Sequence, residues 1–200
     1  MTIALIDDDN AILHSLSMLL EGRGIPVRAY SSAESFLNAL ATEPPQCVVS
    51  DIRMPGMSGI ELQQKLKEHA GAIPLIFITG HGDVTMAVQA IKQGAFDFIE
   101  KPLDDERLIA SISQAIESGN RLRSEYKERA ALQARVAELS PRQVEVMRLV
   151  AEGLSNKEIA HKLGISTRTV ENYRAWVMER MGANSLADLV RKVIALKSRA

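Results

Sequence analysis

Five polar residues in the first half of the chain are of types that handle phosphoryl groups, and each ends or follows a short apolar run. Asp7 and Asp8 follow "IALI", Asp51 follows "CVVS", Thr79 closes "LIFIT", and Lys101 follows "FDFIE". Carboxylates brought together repel and raise one another's pKa. A hard divalent cation that prefers oxygen ligands, Mg²⁺ or Mn²⁺, relieves that repulsion. A lysine and a hydroxyl at the same place have the chemistry to contact phosphoryl oxygens, and a carboxylate there is a nucleophile for phosphoryl transfer, with Asp51 the residue placed for it. The bland alternative is that the run Asp7, Asp8, Asp9 caps a helix and Lys101 is a surface lysine. For any one residue that reading is the better one; for five in register it is not.

The register comes from the elements. Apolar runs at 3–6, 27–30, 47–50, 75–79 and 96–100 alternate with amphipathic stretches, the first carrying Leu13, Leu16 and Leu20 on one face. Five strand–helix units in a row predict a parallel, doubly wound sheet covered on both faces. All five polar residues then fall at the carboxyl ends of strands. In the order 2-1-3-4-5 the switch point lies between the first and third strands, where such sheets bind ligands. Ser31 with Glu34 is expected to form a capping box for the second helix, and Gly22 or Gly24 and Gly94 suit helix C-termini.

The 200 residues, 46% hydrophobic and 24% charged, suit two small soluble domains. No apolar run approaches the roughly 18 residues a membrane span needs, and the N-terminus has no basic flank or cleavage-like site, so neither membrane association nor a signal peptide is expected. The single cysteine, Cys47, reads as a core residue. These features predict a cytoplasmic protein. His14, His69, His81 and His161 are scattered, without metal-ligand spacing. The net charge of −1 conceals an asymmetry: residues 1–139 carry 13 basic and 19 acidic side chains (−6), and residues 140–200 carry 11 and 6 (+5). A basic second module is one that can meet nucleic acid.

The chain divides at about residues 118 and 139. Residues 119–139 read as a helical linker with a sparse stripe of Leu122, Tyr126, Leu132, Val136 and Leu139; a short coiled coil is a second reading, which Arg129 interrupts. Capping boxes at "SPRQ" and "SNKE" and starts at Ser166 and Ser185 predict four helices, about 142–152, 155–163, 166–181 and 185–197. The middle pair has helix-turn-helix spacing. At 100° per residue, Val170, Arg174, Val177 and Met181 face a core, while Arg168, Asn172, Ala175 and Glu179 face outward beside Thr169, Glu171 and Trp176. Such an outward face can enter a DNA major groove.

Residues 1–118, with "LIDDDN", "SDIRMPGMSG", "FITGHGD" and "FDFIEKP", resemble a response-regulator receiver domain. The resemblance implies phosphorylation of Asp51 by a sensor histidine kinase. It implies Asp8 and Asp51 as direct metal ligands, the backbone carbonyl of Arg53 as a third, and Asp7 acting through water. Thr79 and Lys101 contact the phosphoryl group in that reading, Thr79 and Phe98 form the switch, and Lys101–Pro102 is a cis bond. For Phe98 core packing is the competing reading. An aspartyl-nucleophile hydrolase is a rival class, but such enzymes carry a second carboxylate two residues on, where this chain has Arg53; at most slow self-dephosphorylation is expected.

The motif "LSPRQVEVMRLVAEGLSNKEIAHKLGISTRTVENYRAWVMERM", from Leu139 to Met181, is similar to the four-helix output domain of the NarL/FixJ (LuxR-type) regulators, a resemblance that covers nearly all of residues 139–200 and makes the whole chain resemble a FixJ-like response regulator. The resemblance implies double-stranded promoter DNA as a partner, with Glu171, Asn172 and Ala175 toward bases and Asn156, Lys157, Arg168, Thr169 and Tyr173 toward phosphates. It admits RNA polymerase as a partner and implies a homodimer on phosphorylation, with Val88, Lys92 and Asp97 on the dimer face. The alternative is a phospho-independent DNA-binding regulator whose receiver is only an interaction module.

Overall fold

A computed structural model describes residues 2–68, 73–80 and 84–197. They form two compact units, Met1–Arg123 and Ser124–Ala200. His69 and His81, and with the latter the GHGD segment of residues 80–83 beyond Gly80, lie outside the described residues.

In the first unit β1 (Ile3–Ile6), β2 (Val27–Tyr30), β3 (Cys47–Asp51), β4 (Leu75–Thr79) and β5 (Asp97–Glu100) form one parallel sheet in the order β2-β1-β3-β4-β5. The two-residue period of a strand sends alternate side chains to opposite faces. Ile3, Leu5, Cys47, Val49, Ile76 and Ile78 join one core with α1 (Asn10–Gly22) and the start of α5 (Asp105–Ala137). Ala4, Ile6, Val48, Leu75 and Phe77 join the other with α2 (Ala33–Leu40), α3 (Gly59–Glu68) and α4 (Val84–Lys92). Because both faces are covered, the central strands are apolar throughout rather than alternating. Edge strand β2 is only half buried.

Local chemistry sets the element ends. Asp9 is the N-cap of α1, its Oδ1 accepting from the Ala11 N–H at 2.8 Å. The expected capping box of Ser31 and Glu34 does not form: Ser32 is the N-cap of α2, its Oγ accepting from Ser35 N–H. Shifted one residue, Glu34 is free to reach the loop after β3, where it accepts from the Met57 N–H at 2.9 Å. Its own backbone amide and then this Met57 donor hold the Glu34 carboxyl below its usual range. Gln63, on α3 and 3% exposed, donates to the carbonyls of Ala90 and Gln93 at 3.0 Å each, tying α3 to the end of α4.

The second unit comprises the end of α5 with α6 (Pro141–Ala151), α7 (Asn156–Leu163), α8 (Thr167–Met181) and α9 (Leu186–Lys197). Both expected capping boxes are present, on Ser140 with Gln143 and on Ser155 with Glu158. Gly164 ends α7 at φ +65°, the left-handed conformation that glycine adopts without penalty, and so makes the turn into α8. The apolar stripe of the linker is not uniform. Leu132 and Leu139 are buried in the second unit's core with Val136 against them, whereas Leu122 and Tyr126 are exposed. Among the described residues no helix is long and apolar enough to cross a membrane.

Candidate functional site

Strand register assembles the acidic site. Ile6 pairs with Ser50, so Asp7 and Asp51, one step further on, emerge side by side; Asp51 pairs with Ile78, one before Thr79; Thr79 pairs with Glu100, one before Lys101. The five residues therefore share one sheet edge. Carboxylate oxygens of Asp7, Asp8 and Asp51 lie within 4.8 Å of one another. Lys101 Nζ bridges the cluster, 2.9 Å from Asp7 Oδ2 and 3.0 Å from Asp51 Oδ2. Asp51 Oδ1 accepts from the Arg53 N–H at 3.1 Å, and Asp7 Oδ1 accepts from the Asp9 N–H at 2.9 Å. Asp7 and Thr79 are buried, Asp51 is half-buried and Asp8 is exposed. The run of three aspartates thus divides: Asp9 caps the helix, while Asp7 and Asp8 face the site.

Burial pushes the Asp7 carboxyl up, against the pull of the Asp9 amide and Lys101. Burial draws the Lys101 ammonium down, but its hydrogen bonds to Asp7 and Asp51 outweigh that and leave it raised. Three carboxylates against one ammonium leave two formal negative charges. An all-oxygen donor set with that charge fits a hard divalent cation such as Mg²⁺. Phe98 pairs in register with Phe77 and is half-buried against the second core. The Lys101–Pro102 bond is cis.

In the second unit, α7 and α8 form the helix-turn-helix. Arg168, Glu171, Asn172 and Ala175 are exposed on α8, with Thr169 half-buried beside them. Val170, Val177 and Met181 are buried, as their spacing demands. Arg174, on the core side, is half-buried, and its guanidinium donates to Asn156 Oδ1 at 2.8 Å. Tyr173 is half-buried against the core and packs edge-on to Trp176, with ring centroids 6.3 Å apart. Asn156 and Lys157 open α7, the first half-buried and the second exposed.

Residues 3–113 match the response regulator receiver domain, and residues 137–193 match the luxR family of bacterial regulatory proteins. The chain belongs to the response regulators. It is 48% identical over 189 residues to the transcriptional regulatory protein FixJ of Bradyrhizobium diazoefficiens, covering 94% of this chain and 92% of that one. It is 42% identical over 195 residues to the response regulator protein TodT of Pseudomonas putida, covering 98% and 86%. Among solved structures it resembles the response regulator StyR (TM-score 0.81, 36% identity, 96% and 98% covered) and full-length FixJ from B. japonicum (TM-score 0.61, 46% identity, 100% and 98% covered). This response regulator is accordingly a phosphorylation-dependent transcriptional regulator, with a receiver that takes its signal from a sensor kinase and a luxR-type domain that binds DNA.

Val88 and Lys92 of the response regulator are exposed on α4, which packs on the second core, while Asp97 is half-buried and turned toward α5, on the side of the first core. Asp97 is already engaged: its Oδ2 accepts from Ser111 Oγ and its Oδ1 from the Phe98 N–H, both at 2.7 Å. Sequence reasoning did not find this link between β5 and α5, nor those made by Glu34, Gln63 and Arg174. Each joins residues at least 14 positions apart, which no local period encodes.

Proposed function

We propose that Asp51 is the phosphoacceptor, that a histidine kinase supplies the phosphoryl group, and that the phosphorylated chain dimerises and binds promoter DNA. The observation that carries this reading is the Asp51 carboxylate held between the Lys101 ammonium and the Arg53 N–H, beside Asp7 and Asp8. An Asp51 oxygen attacks phosphorus as the bond to the donor breaks, and the donor's oxygen or nitrogen leaves with the electron pair. Lys101 follows the new negative charge on the phosphoryl oxygens, and Thr79, next along the edge, donates its hydroxyl to them. Asp8, Asp51 and the Arg53 carbonyl would hold Mg²⁺, with Asp7 acting through water, and the ion would supply positive charge to offset that on the transferring group. Arg53 occupies the position of a water-activating carboxylate, so the phospho-aspartate persists as a signal and self-dephosphorylation is slow.

On DNA, α8 enters the major groove with Glu171, Asn172 and Ala175 toward bases. Arg168, Thr169, Tyr173, Asn156 and Lys157 meet phosphates; with its Oδ1 taken by Arg174, Asn156 offers the amide donor. A sensor kinase and promoter DNA place the activity in the cytoplasm, with RNA polymerase as a further partner at the promoter. Footprinting before and after acetyl phosphate tests the reading. Protection of a specific site is expected to strengthen with the phosphodonor in the wild type and not in Asp51→Asn. Protection indifferent to the donor would instead favour phospho-independent binding with the receiver as an interaction module.

The dimer face is α4 with β5. Val88 and Ile91 are exposed there, at 45% and 46%, beside Lys92. In a two-fold dimer each contact occurs twice, so Lys92 of one protomer meets Asp97 of its partner at two places. Exposed ion pairs contribute at most about 1 kcal/mol each. Lys92→Glu is expected to weaken the phosphorylated dimer roughly twofold to thirtyfold, read by analytical ultracentrifugation. Adding Asp97→Lys restores only part of this, because Ser111 loses its acceptor. An unchanged dimer would move the interface to exposed Leu122 and Tyr126.

A further inference from the structure

The second unit is basic, yet α8 carries a carboxylate near its start, on the exposed side. Glu171 stands on the second turn of α8, next to Asn172 and one turn after Arg168. Its Oε2 lies 3.4 Å from Arg168 Nη1, with the two side chains 46% and 83% exposed. A long, exposed ion pair of this kind is worth little and is easily exchanged for another partner.

Bringing a carboxylate between the two phosphate backbones is unfavourable unless it meets a hydrogen-bond donor. The major groove presents two base donors, the cytosine N4 amino group and the adenine N6 amino group. Adenine sets its N7 acceptor directly beside N6, which repels an acceptor-only side chain; cytosine has a carbon at the corresponding place. Asn172, with both a donor and an acceptor, is the adjacent side chain suited to adenine. We propose that Glu171 is a specificity-determining residue that selects a cytosine in each half-site by accepting from its N4 amino group, its weak pair with Arg168 being exchanged for that contact. The inference rests on the reading that α8 enters the major groove. It goes beyond that reading by naming the base and by making Glu171 act mainly through rejection, since guanine and thymine turn O6 or O4 acceptors toward it.

The test is a selection from a random duplex library with the full chain treated with acetyl phosphate and Mg²⁺, using wild type, Glu171→Gln and Glu171→Lys. Titrations on the selected site and on its variant with that C·G pair changed to T·A follow. The wild type is expected to select cytosine at one position per half-site and to lose roughly 5- to 150-fold in affinity on the change to T·A. Glu171→Gln should lose the cytosine preference at that position alone, moving it toward adenine, whose N6 and N7 suit an amide, and tighten binding to random DNA, because one negative charge leaves the interface. Glu171→Lys should move the preference to guanine, whose O6 and N7 accept from a lysine. A merely structural role for Glu171 would weaken all sites alike and change no preference. A selected site that is the same for all three proteins overturns the assignment while leaving α8 as the reading helix. A library that yields no preferred sequence for the wild type overturns both.

Discussion

Asp51→Asn is expected to abolish phosphoryl incorporation from acetyl phosphate. The amide keeps the shape of the carboxylate and can still accept from the Arg53 N–H, so the loop after β3 stays in place and the lost reactivity is chemical. A neutral amide is a poor nucleophile toward phosphorus, and it also removes one of the three carboxylates that come within 4.8 Å of one another. Lys101 then keeps its ion pair with Asp7 and loses the one with Asp51. Asp8→Ala should suppress labelling strongly by a different route: the nucleophile remains, but the cluster falls from two net negative charges to one and binds a divalent cation more weakly. Raising Mg²⁺ should recover part of the Asp8→Ala labelling and none of the Asp51→Asn labelling. Mass spectrometry of the intact chain reads both, and a phosphoryl group carried by Asp51→Asn at another residue would refute the assignment of Asp51.

Gly59→Ala should disable the receiver through its backbone. A Cβ at Gly59 would stand 2.4 Å from the Asp51 carbonyl oxygen, 2.8 Å from Phe77 Cε1 and 3.0 Å from Ile52 Cα. Two of these three neighbours are main-chain atoms that cannot swing aside, and Gly59 is buried with its N–H donating to the Ile52 carbonyl at 2.9 Å. The first turn of α3 must withdraw or the end of β3 must move, and the end of β3 is Asp51. The destabilisation expected is at the upper end of the overpacking range, about 3 kcal/mol. Amide hydrogen exchange should quicken in the first unit and stay as it is in α6–α9, and the phosphorylation rate should fall with it. Wild-type exchange and labelling in Gly59→Ala would mean that α3 and β3 do not approach so closely.

The parts of this molecule that the sequence announces are those governed by short periods. Apolar runs broken by amphipathic segments identify the parallel sheet, and placing each acidic or basic residue just past a run locates the site at one edge, because strand register is counted in whole residues. Serine followed three positions later by Gln or Glu marks two helix starts correctly at Ser140 and Ser155. The same rule fails at Ser31, since Ser31 and Ser32 are adjacent and only tertiary context decides which caps the helix; the surrounding fold gives Glu34 a better use on the Met57 amide. Arg174 lies on the core side of α8, but that its guanidinium would meet Asn156 depends on how α7 packs against α8. The half-buried ring of Tyr173 and the prior engagement of Asp97 are equally tertiary facts.

Cys47 carries a practical consequence. It is the only thiol of the chain, wholly buried in the first core, and burial pushes its pKa up to about 12. Thiolate is the form that reacts, so an alkylating or disulfide reagent reaches this sulfur only when the central strand of the sheet is laid open. Trp176, the only tryptophan, is half exposed in the other unit. Thiol labelling of Cys47 thus times the opening of the first unit in the unmodified protein, separately from the unit that carries Trp176.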